Sequence, residues 1–468
     1  MSQLDESKIT SDITVYGATG IVGNYICRYL VEAADVNEQP LRIVLAGRNE
    51  AKLRQRVESL PSSKHCTLEI FVADADNLTG LIQMVEQTKV VIACAGPFSK
   101  YGTNVVAACA TTGTDYLDIT AEFIWVAQMR QKFGEIAKQS GARIVSFCGF
   151  DSVPSDLSVY GAVEALREVR GENIEIERAS TWHYPMGGVN AGTVHTALSI
   201  PIDIMHMVFD SKGSMRRVPF LVDDPLCMTH PTQVRHNPDY DKQRNSMALT
   251  EWLNNMPSFD GILATGMSLG FFMAVANSKV VYASAVSLKY GKSFQYYERW
   301  VPIGFTATRS LGIFSAIPAL VVLCTMALVS IVLKLPCLGQ KIVDILYPPG
   351  LGTPDSVNKM GFAEVYAEVV ANAASPTSKG NVDRAACRIS FQGDPGNLVT
   401  AQCICESALA LLYDRQELPE RSEDGFGTPA EIIGTVLLQR LRQTRVRVVQ
   451  VETKVQKNMP KINLKPLV

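Results

Sequence analysis

Three glycines spaced three apart, Gly17, Gly20 and Gly23, lie in the run Ile13-Thr14-Val15-Tyr16-Gly17-Ala18-Thr19-Gly20-Ile21-Val22-Gly23. The run reads as a strand, a turn and the start of a helix. In that setting Gly17 lets the chain turn tightly, Gly20 lets backbone amides approach an anion, and Gly23 lets the helix pack closely on the strand. The helix N-terminus, with Thr19, Ile21 and Val22, favours negative charge. The chemistry this suits is binding of a dinucleotide pyrophosphate. At the tip of the next strand, Leu45-Ala46-Gly47-Arg48-Asn49 offers no acid for a ribose 2′-hydroxyl. It offers Arg48, with Lys52 one helical turn further on. A guanidinium there can grip a 2′-phosphate and stack on adenine, so NADP(H) is favoured over NAD(H). Asp74, after Phe71-Val72-Ala73, is placed to reach the adenine amine. Ala95, Gly96 and Pro97 end a fourth strand where a nicotinamide ribose belongs, with small residues for close approach and a proline to fix the turn.

Hydride transfer also needs a proton donor or acceptor beside the nicotinamide. A Tyr-x-x-x-Lys pair is absent at all 15 tyrosines. Tyr101, Glu122 and Asp151 remain as catalytic candidates, with Asp118 beside them. Asp118 and Glu122 close a short strand that leads into a helix, so capping competes with catalysis there. Asp151, Ser155 and Asp156 stand at the start of another helix and share that alternative. His183 and His195 are isolated in sequence and read as structural. The 11 cysteines include no Cys-x-x-Cys, only the close pair Cys403/Cys405, so reduced buried thiols are expected rather than a metal site.

The elements that must position these residues alternate cleanly at first. Strands are expected at Ile13–Tyr16, Leu41–Ala46, Leu68–Val72, Val90–Ala95, Asp115–Ile119 and Arg143–Phe147. Helices fall between them, which indicates parallel βαβ units and a doubly wound sheet. Beyond residue 150 the pattern becomes half-buried strands, at Ile174–His183, Val280–Leu288, Ala363–Ala371 and Ala385–Phe391. Helices follow near 398–412 and 429–444, then a strand at 446–451. The division expected is a nucleotide-binding unit at 1–150, a mixed-sheet substrate unit at 151–395, and helices and a strand at 396–468 that return to the first.

The chain has 468 residues and a net charge of −2, with 47% apolar and 19% charged residues. A generally basic nucleic-acid partner and a largely disordered chain are both excluded. The polar N-terminus, MSQLDESKIT, suggests an intracellular, reducing compartment. Ser310–Leu333 holds 24 residues without a charge between Arg309 and Lys334. At ~1.5 Å per residue a helix of that length spans about 36 Å, enough for a hydrocarbon core of about 30 Å. Contact with a membrane or lipid surface is therefore expected, and Gly261–Ser278 reads as buried core.

The set GATGIVG (17–23), AGR (46–48), CAGPFSKYG (94–102), TDYLDITAE (114–122) and GFDSVPSD (149–156) resembles the saccharopine dehydrogenase-like oxidoreductase family. FQGDPGN (391–397) and GFGTPAEIIG (425–434) extend the likeness to the C-terminus. The trans-acting enoyl reductases of lipid synthesis are also similar. The resemblance implies a Rossmann domain, a second α+β domain with a mixed sheet, and a C-terminal return to the first. A substrate with several carboxylates would need clustered arginines. The middle of the chain offers apolar runs, with basic residues at Lys212, Arg216 and Arg217 that suit anionic headgroups. A small, apolar or lipid-like substrate is expected, and a homodimer is compatible. The rivals are an inactive cofactor-binding scaffold at a membrane surface and a true saccharopine-type amino acid dehydrogenase.

Overall fold

The computed structural model describes residues 6–188, 226–229, 269–271, 273–301, 341, 345, 352–371, 381–420 and 422–460. Ser310–Leu333, His195, Lys212, Arg216 and Arg217 lie outside the described residues. The first unit runs β1 (Ser11–Tyr16), α1 (Ile21–Val36), β2 (Leu41–Gly47), α2 (Glu50–Ser59), β3 (Cys66–Val72), α3 (Leu78–Val85) and β4 (Thr88–Ala93). It continues through α4 (Phe98–Tyr101), α5 (Thr103–Thr112), β5 (Asp115–Asp118), α6 (Phe123–Ser140) and β6 (Ile144–Val145). With β12 (Phe426–Gly427) these strands make a seven-stranded parallel sheet, ordered β12-β6-β5-β4-β1-β2-β3. The chain steps from β1 through β2 to β3 on one side and resumes at β4 on the other. That reversal opens a crevice at the carboxyl edge between β1 and β4, where ligands of such sheets bind. Tyr16 is level with Ala46 and Ala93, so the turns after β1, β2 and β4 emerge together.

α7 (Val153–Arg170) leads into β7 (Ile176–Met186), β8 (Leu269–Gly270), α8 (Ala274–Ser287) and β9 (Gln295–Trp300). Then come α9 (Asp355–Met360), β10 (Phe362–Ala371) and β11 (Asn381–Gln392). The second sheet is mixed, closes with β13 (Val449–Pro460), and has six strands ordered β13-β11-β10-β7-β9-β8. Its long antiparallel ladder places Val365 opposite both Ile389 and His183. Apolar residues alternate inward along β10 and β11 and pack against α7, which crosses β7, β10, β11 and β13. The architecture is α/β: a Rossmann unit beside an α+β mixed-sheet unit.

Two expectations need correction. Val280–Leu288 is not a strand but most of α8. Ala274, Ala276 and every residue from Asn277 to Ala285 are buried, so no polar stripe marks the helical period, and alternating small residues imitate a strand. The C-terminal strand does not rejoin the first sheet. β13 (Val449–Pro460) pairs antiparallel with β11, because the return is made by other elements. The short β12 adds to β6, and α10 (Thr400–Tyr413) packs on α1, β4 and β5. α11 (Pro429–Gln443) joins α7 to α10. Tyr29 of α1 donates to Glu406 of α10 at 2.7 Å, and Arg440 of α11 holds the other oxygen at 2.8 Å. Among the described residues no helix is long and apolar enough to cross a membrane.

Asp156 is a buried clamp in this assembly. It accepts from Ser284 Oγ of α8 at 2.6 Å and from Ala430 N of α11 at 2.9 Å. Burial pushes its carboxyl up to about 7, against the lowering effect of those donors. The native state therefore binds this proton more tightly than the unfolded chain. Its contribution is full at low pH and is lost as pH climbs from about 4 through about 7. In denaturant titrations, the wild type should lose up to roughly 4 kcal/mol more than Asp156→Asn across that window. Equal pH slopes for the two proteins would contradict the assignment.

Candidate active site

The glycine turn is built for close approach. Gly17 has φ +93°, and a Cβ there would sit 2.8 Å from Ala95 N at the tip of β4. A Cβ at Gly23 would sit 2.5 Å from Gly17 O and 2.9 Å from Ala18 Cα. Gly20 caps α1 without a side-chain hydrogen bond, and no acid lies in the first turn. The helix N-terminus thus faces the crevice with its positive end unopposed. Arg56, on α2, reaches across to bond Ala18 O at 3.2 Å and Asn24 Oδ1 at 2.7 Å. By drawing the Ala18 carbonyl toward α2, it favours amides over carbonyls on the crevice side. In sequence Arg56 is indistinguishable from Arg54, its neighbour on α2, which pairs with Glu50 on the surface at 2.6 Å.

Arg48 and Lys52 are exposed at the tip of β2 and the start of α2. Asn49 caps α2 by accepting from Lys52 N at 3.0 Å, which leaves both basic side chains free of capping duty. Tyr16 lies close by, its hydroxyl pushed up to about 12 by burial and by Asp74, against the pull of Arg48. Asp74 is exposed, with one oxygen taken by Asp76 N at 3.0 Å. The tips of β1, β2 and β3 therefore share one electrostatic neighbourhood, as an adenosine subsite requires. The cradle with no room for a Cβ, the unopposed helix end and the basic tip together fit a phosphorylated dinucleotide.

At the other end, Ala95, Gly96 and Pro97 lead into α4, which carries Tyr101. Glu122 does not cap its own helix, α6. Its carboxylate instead accepts from Phe98 N at 2.6 Å and Ser99 N at 3.0 Å, clasping the start of α4. Both oxygens are thereby committed to holding the β4 loop, which removes Glu122 as a free proton carrier. Asp118 is likewise structural. It accepts from Thr120 N, Phe147 N and Ser146 Oγ, while burial pushes it up to about 6. Burial also pushes the Cys94 thiol up to about 12, so it is no nucleophile.

Asp151 behaves differently. It follows β6 and precedes α7, yet makes no hydrogen bond among the described residues and does not cap the helix. Burial pushes its carboxyl up to about 6, with His183 opposing and Glu298 reinforcing the shift. Behind it lies a buried cluster drawn from four elements. Glu298 Oε1, on β9, accepts from Ser155 Oγ at 2.8 Å and from Asn277 Nδ2 at 2.9 Å, and faces His183 Nε2 at 2.8 Å. Ser152 Oγ donates to Asn277 Oδ1 at 2.8 Å. His183 stacks on Phe271 with centroids 4.3 Å apart. Ser155 therefore serves the second sheet, as Asp156 serves α8 and α11; neither caps α7. Sequence spacing gave no sign of this set, since its members are spread from Ser152 to Glu298. Lys279, also on α8, is buried over the Phe123 ring at 5.9 Å. A depression of about 770 Å³ at the far end of α1, lined by residues such as Val36, Arg440 and Thr444, is remote from this edge.

Arg56 and Glu122 shape the site without touching the 2′-phosphate region. Arg56→Ala should therefore weaken NADPH and NADH binding by the same factor, measured by nicotinamide fluorescence. Glu122→Ala leaves the buried Phe98 amide and the part-buried Ser99 amide without an acceptor and should cost about 1–3 kcal/mol in chemical unfolding. A selective loss of NADPH in the Arg56 variant, or unchanged stability in the Glu122 variant, would contradict these roles.

Residues 13–145 match the saccharopine dehydrogenase NADP binding domain. A provisionally named trans-acting enoyl reductase of Mycobacterium tuberculosis is 31% identical over 439 residues, covering 92% of this chain and 95% of that protein. The trans-acting enoyl reductase of Mycobacterium leprae is 30% identical over 452 residues, with the same shares covered. Saccharopine dehydrogenase (L-Glu forming) from Saccharomyces cerevisiae aligns over 95% of this chain and all of its own, at 10% identity and a TM-score of 0.46. Both mycobacterial relatives span nearly the whole chain and nearly all of their own length. On those grounds the chain belongs to the saccharopine dehydrogenase-like, NADP-binding oxidoreductase family, with trans-acting enoyl reductases among its members.

Proposed function

We propose that the protein is an NADP(H)-dependent oxidoreductase that acts on an apolar, lipid-like substrate carrying a polarised double bond. The observation that carries the reading is the tip of β2, where Arg48 stands exposed beside the glycine cradle and no acid is present to select a free 2′-hydroxyl. Gly17–Gly23 would hold the pyrophosphate on backbone amides, and Arg48 with Lys52 the 2′-phosphate. Ala95, Gly96 and Pro97 would bring the nicotinamide ribose against a loop fixed by Glu122. Bound NADPH would supply a hydride at that end of the crevice.

The substrate class rests on two supports. The relatives are named as enoyl reductases, and the middle of the chain is apolar, without the arginine cluster that a polycarboxylate would need. Work at a membrane surface is supported by the uncharged run Ser310–Leu333. A saccharopine-type activity would instead appear as turnover with a soluble amino acid, and a scaffold as binding without turnover of any substrate.

Titration of the purified protein with NADPH and NADH should show preferential NADPH binding. Arg48→Ala should weaken NADPH by roughly 10- to 100-fold, the worth of a charged hydrogen bond, and leave NADH nearly unchanged. An equal effect on both cofactors would refute the 2′-phosphate assignment. Deleting Ser310–Leu333 should release the protein from sedimenting membranes; continued pelleting would place any anchor elsewhere.

A further inference from the structure

Resting on that reading, we propose that Asp151 is the catalytic acid of this site, and that the buried network of His183, Glu298, Ser155 and Asn277 behind it biases its charge.

The strands β4, β5 and β6 are neighbours, so their carboxyl tips lie about 4.8 Å apart in sequence of pairing, and β6 ends roughly 10 Å from β4. The loops that leave them are tied to one another. Glu122, after β5, holds Phe98 after β4 at 2.6 Å, and Asp118 O accepts from Cys148 N after β6 at 2.8 Å. A Cβ on Gly149 would be 3.4 Å from Ile119 Cβ. Asp151 therefore stands on a turn that is tied, through the loop after β5, to the loop after β4.

Around this edge Asp118, Glu122 and Asp156 each have their oxygens filled by amides or hydroxyls. Asp151 is a half-buried residue, and its carboxyl has no such donor among the described residues. His183 is fully buried, spends Nε2 on Glu298, and keeps Nδ1 without a hydrogen-bond partner among the described residues. A buried polar atom left open costs stability, and such costs concentrate where a site is used. The charged groups that act on Asp151 are His183 on β7 and Glu298 on β9. Its burial raises its proton affinity, with His183 and Glu298 pulling in opposite directions, which suits an acid that must hold a proton near neutrality.

The Asp151 carboxyl gives its proton to the substrate atom that is left with the electron pair when the double bond accepts hydride from the reduced nicotinamide. Its O–H bond breaks, a bond from that proton to substrate forms, and the carboxylate regains a proton from water. His183 and Glu298 act through Asp151, by their charge, and Ser155 and Asn277 hold Glu298 in place.

A binding experiment tests this without turnover. An oxidised nicotinamide ring is cationic and the reduced ring is neutral, so a carboxylate beside it selects NADP⁺. The ratio of NADP⁺ to NADPH affinity cancels titration of the 2′-phosphate, which both share. In the wild type that ratio should rise on the order of tenfold as Asp151 ionises over about pH 5 to 7. Asp151→Asn should flatten it and cut kcat for a conjugated enone about 100-fold, with KM little changed. His183→Gln should move the midpoint upward and Glu298→Gln downward, a readout that a merely structural role would not move. A flat ratio in wild type, an unchanged step in Asp151→Asn, or a step abolished instead by Lys279→Met would overturn the assignment alone. Failure to bind either cofactor would overturn the functional reading beneath it as well.

Discussion

Between the turn after β1 and the tip of β4 there is no space for a side chain. Gly17 lies against the Ala95 amide, and Gly23 lies against the Gly17 carbonyl, so α1 starts in direct contact with the strand edge. This crowding brings the helix N-terminus to the crevice, aligns the tips of three strands, and fixes where an anion can sit. A Cβ at either glycine would push the turn away from β4 and break that alignment. Arg56 secures the same turn from behind, a second constraint on its shape. Everything further along the crevice is measured from this point.

Buried carboxylates then lock the remaining pieces to it, and they do so mostly by capping helices other than their own. Glu122 precedes α6 but holds α4. Asp156 lies in α7 but holds the start of α11. Asp394 accepts from Gly188 N at 2.6 Å and from Asn397 N at 2.9 Å, while Asn397 and Asn358 carry the chain of bonds on to Tyr25 of α1. Each such acceptor satisfies amides that would otherwise be orphaned at a buried helix end. The result joins two sheets and the C-terminal helices across the crevice. Asp151 stands out against this background because its oxygens hold nothing.

The Rossmann half was legible in sequence because its signals are local. The glycine spacing, the strand period and the Arg48 position all fall within short windows, and β1 to β6 appear where the pattern places them. The second half resists such reading for a physical reason. α8 is buried on every side, so its period vanishes, and Val280–Leu288 passes for a strand. His183 reads as an isolated residue, since Ser155 and Glu298 reach it, and Asn277 reaches Glu298, only through tertiary packing. Glu122 and Asp156 could be recognised as caps, but not which helices they cap, because that depends on elements distant in the chain. Arg56 shows the same limit within the first domain: its role depends on where α2 lies against the turn.

The central claim is that a dinucleotide lies along the carboxyl edge from Arg48, across the glycine turn, to the space between the β4 loop and Asp151. A crystal structure of the NADP⁺ complex tests it most directly. The account predicts the 2′-phosphate on the Arg48 guanidinium, the pyrophosphate on the amides of the Gly17–Gly23 turn, and the nicotinamide ring beside the Asp151 carboxylate. A 2′-phosphate turned to solvent, or a nicotinamide lying away from Asp151, would contradict it.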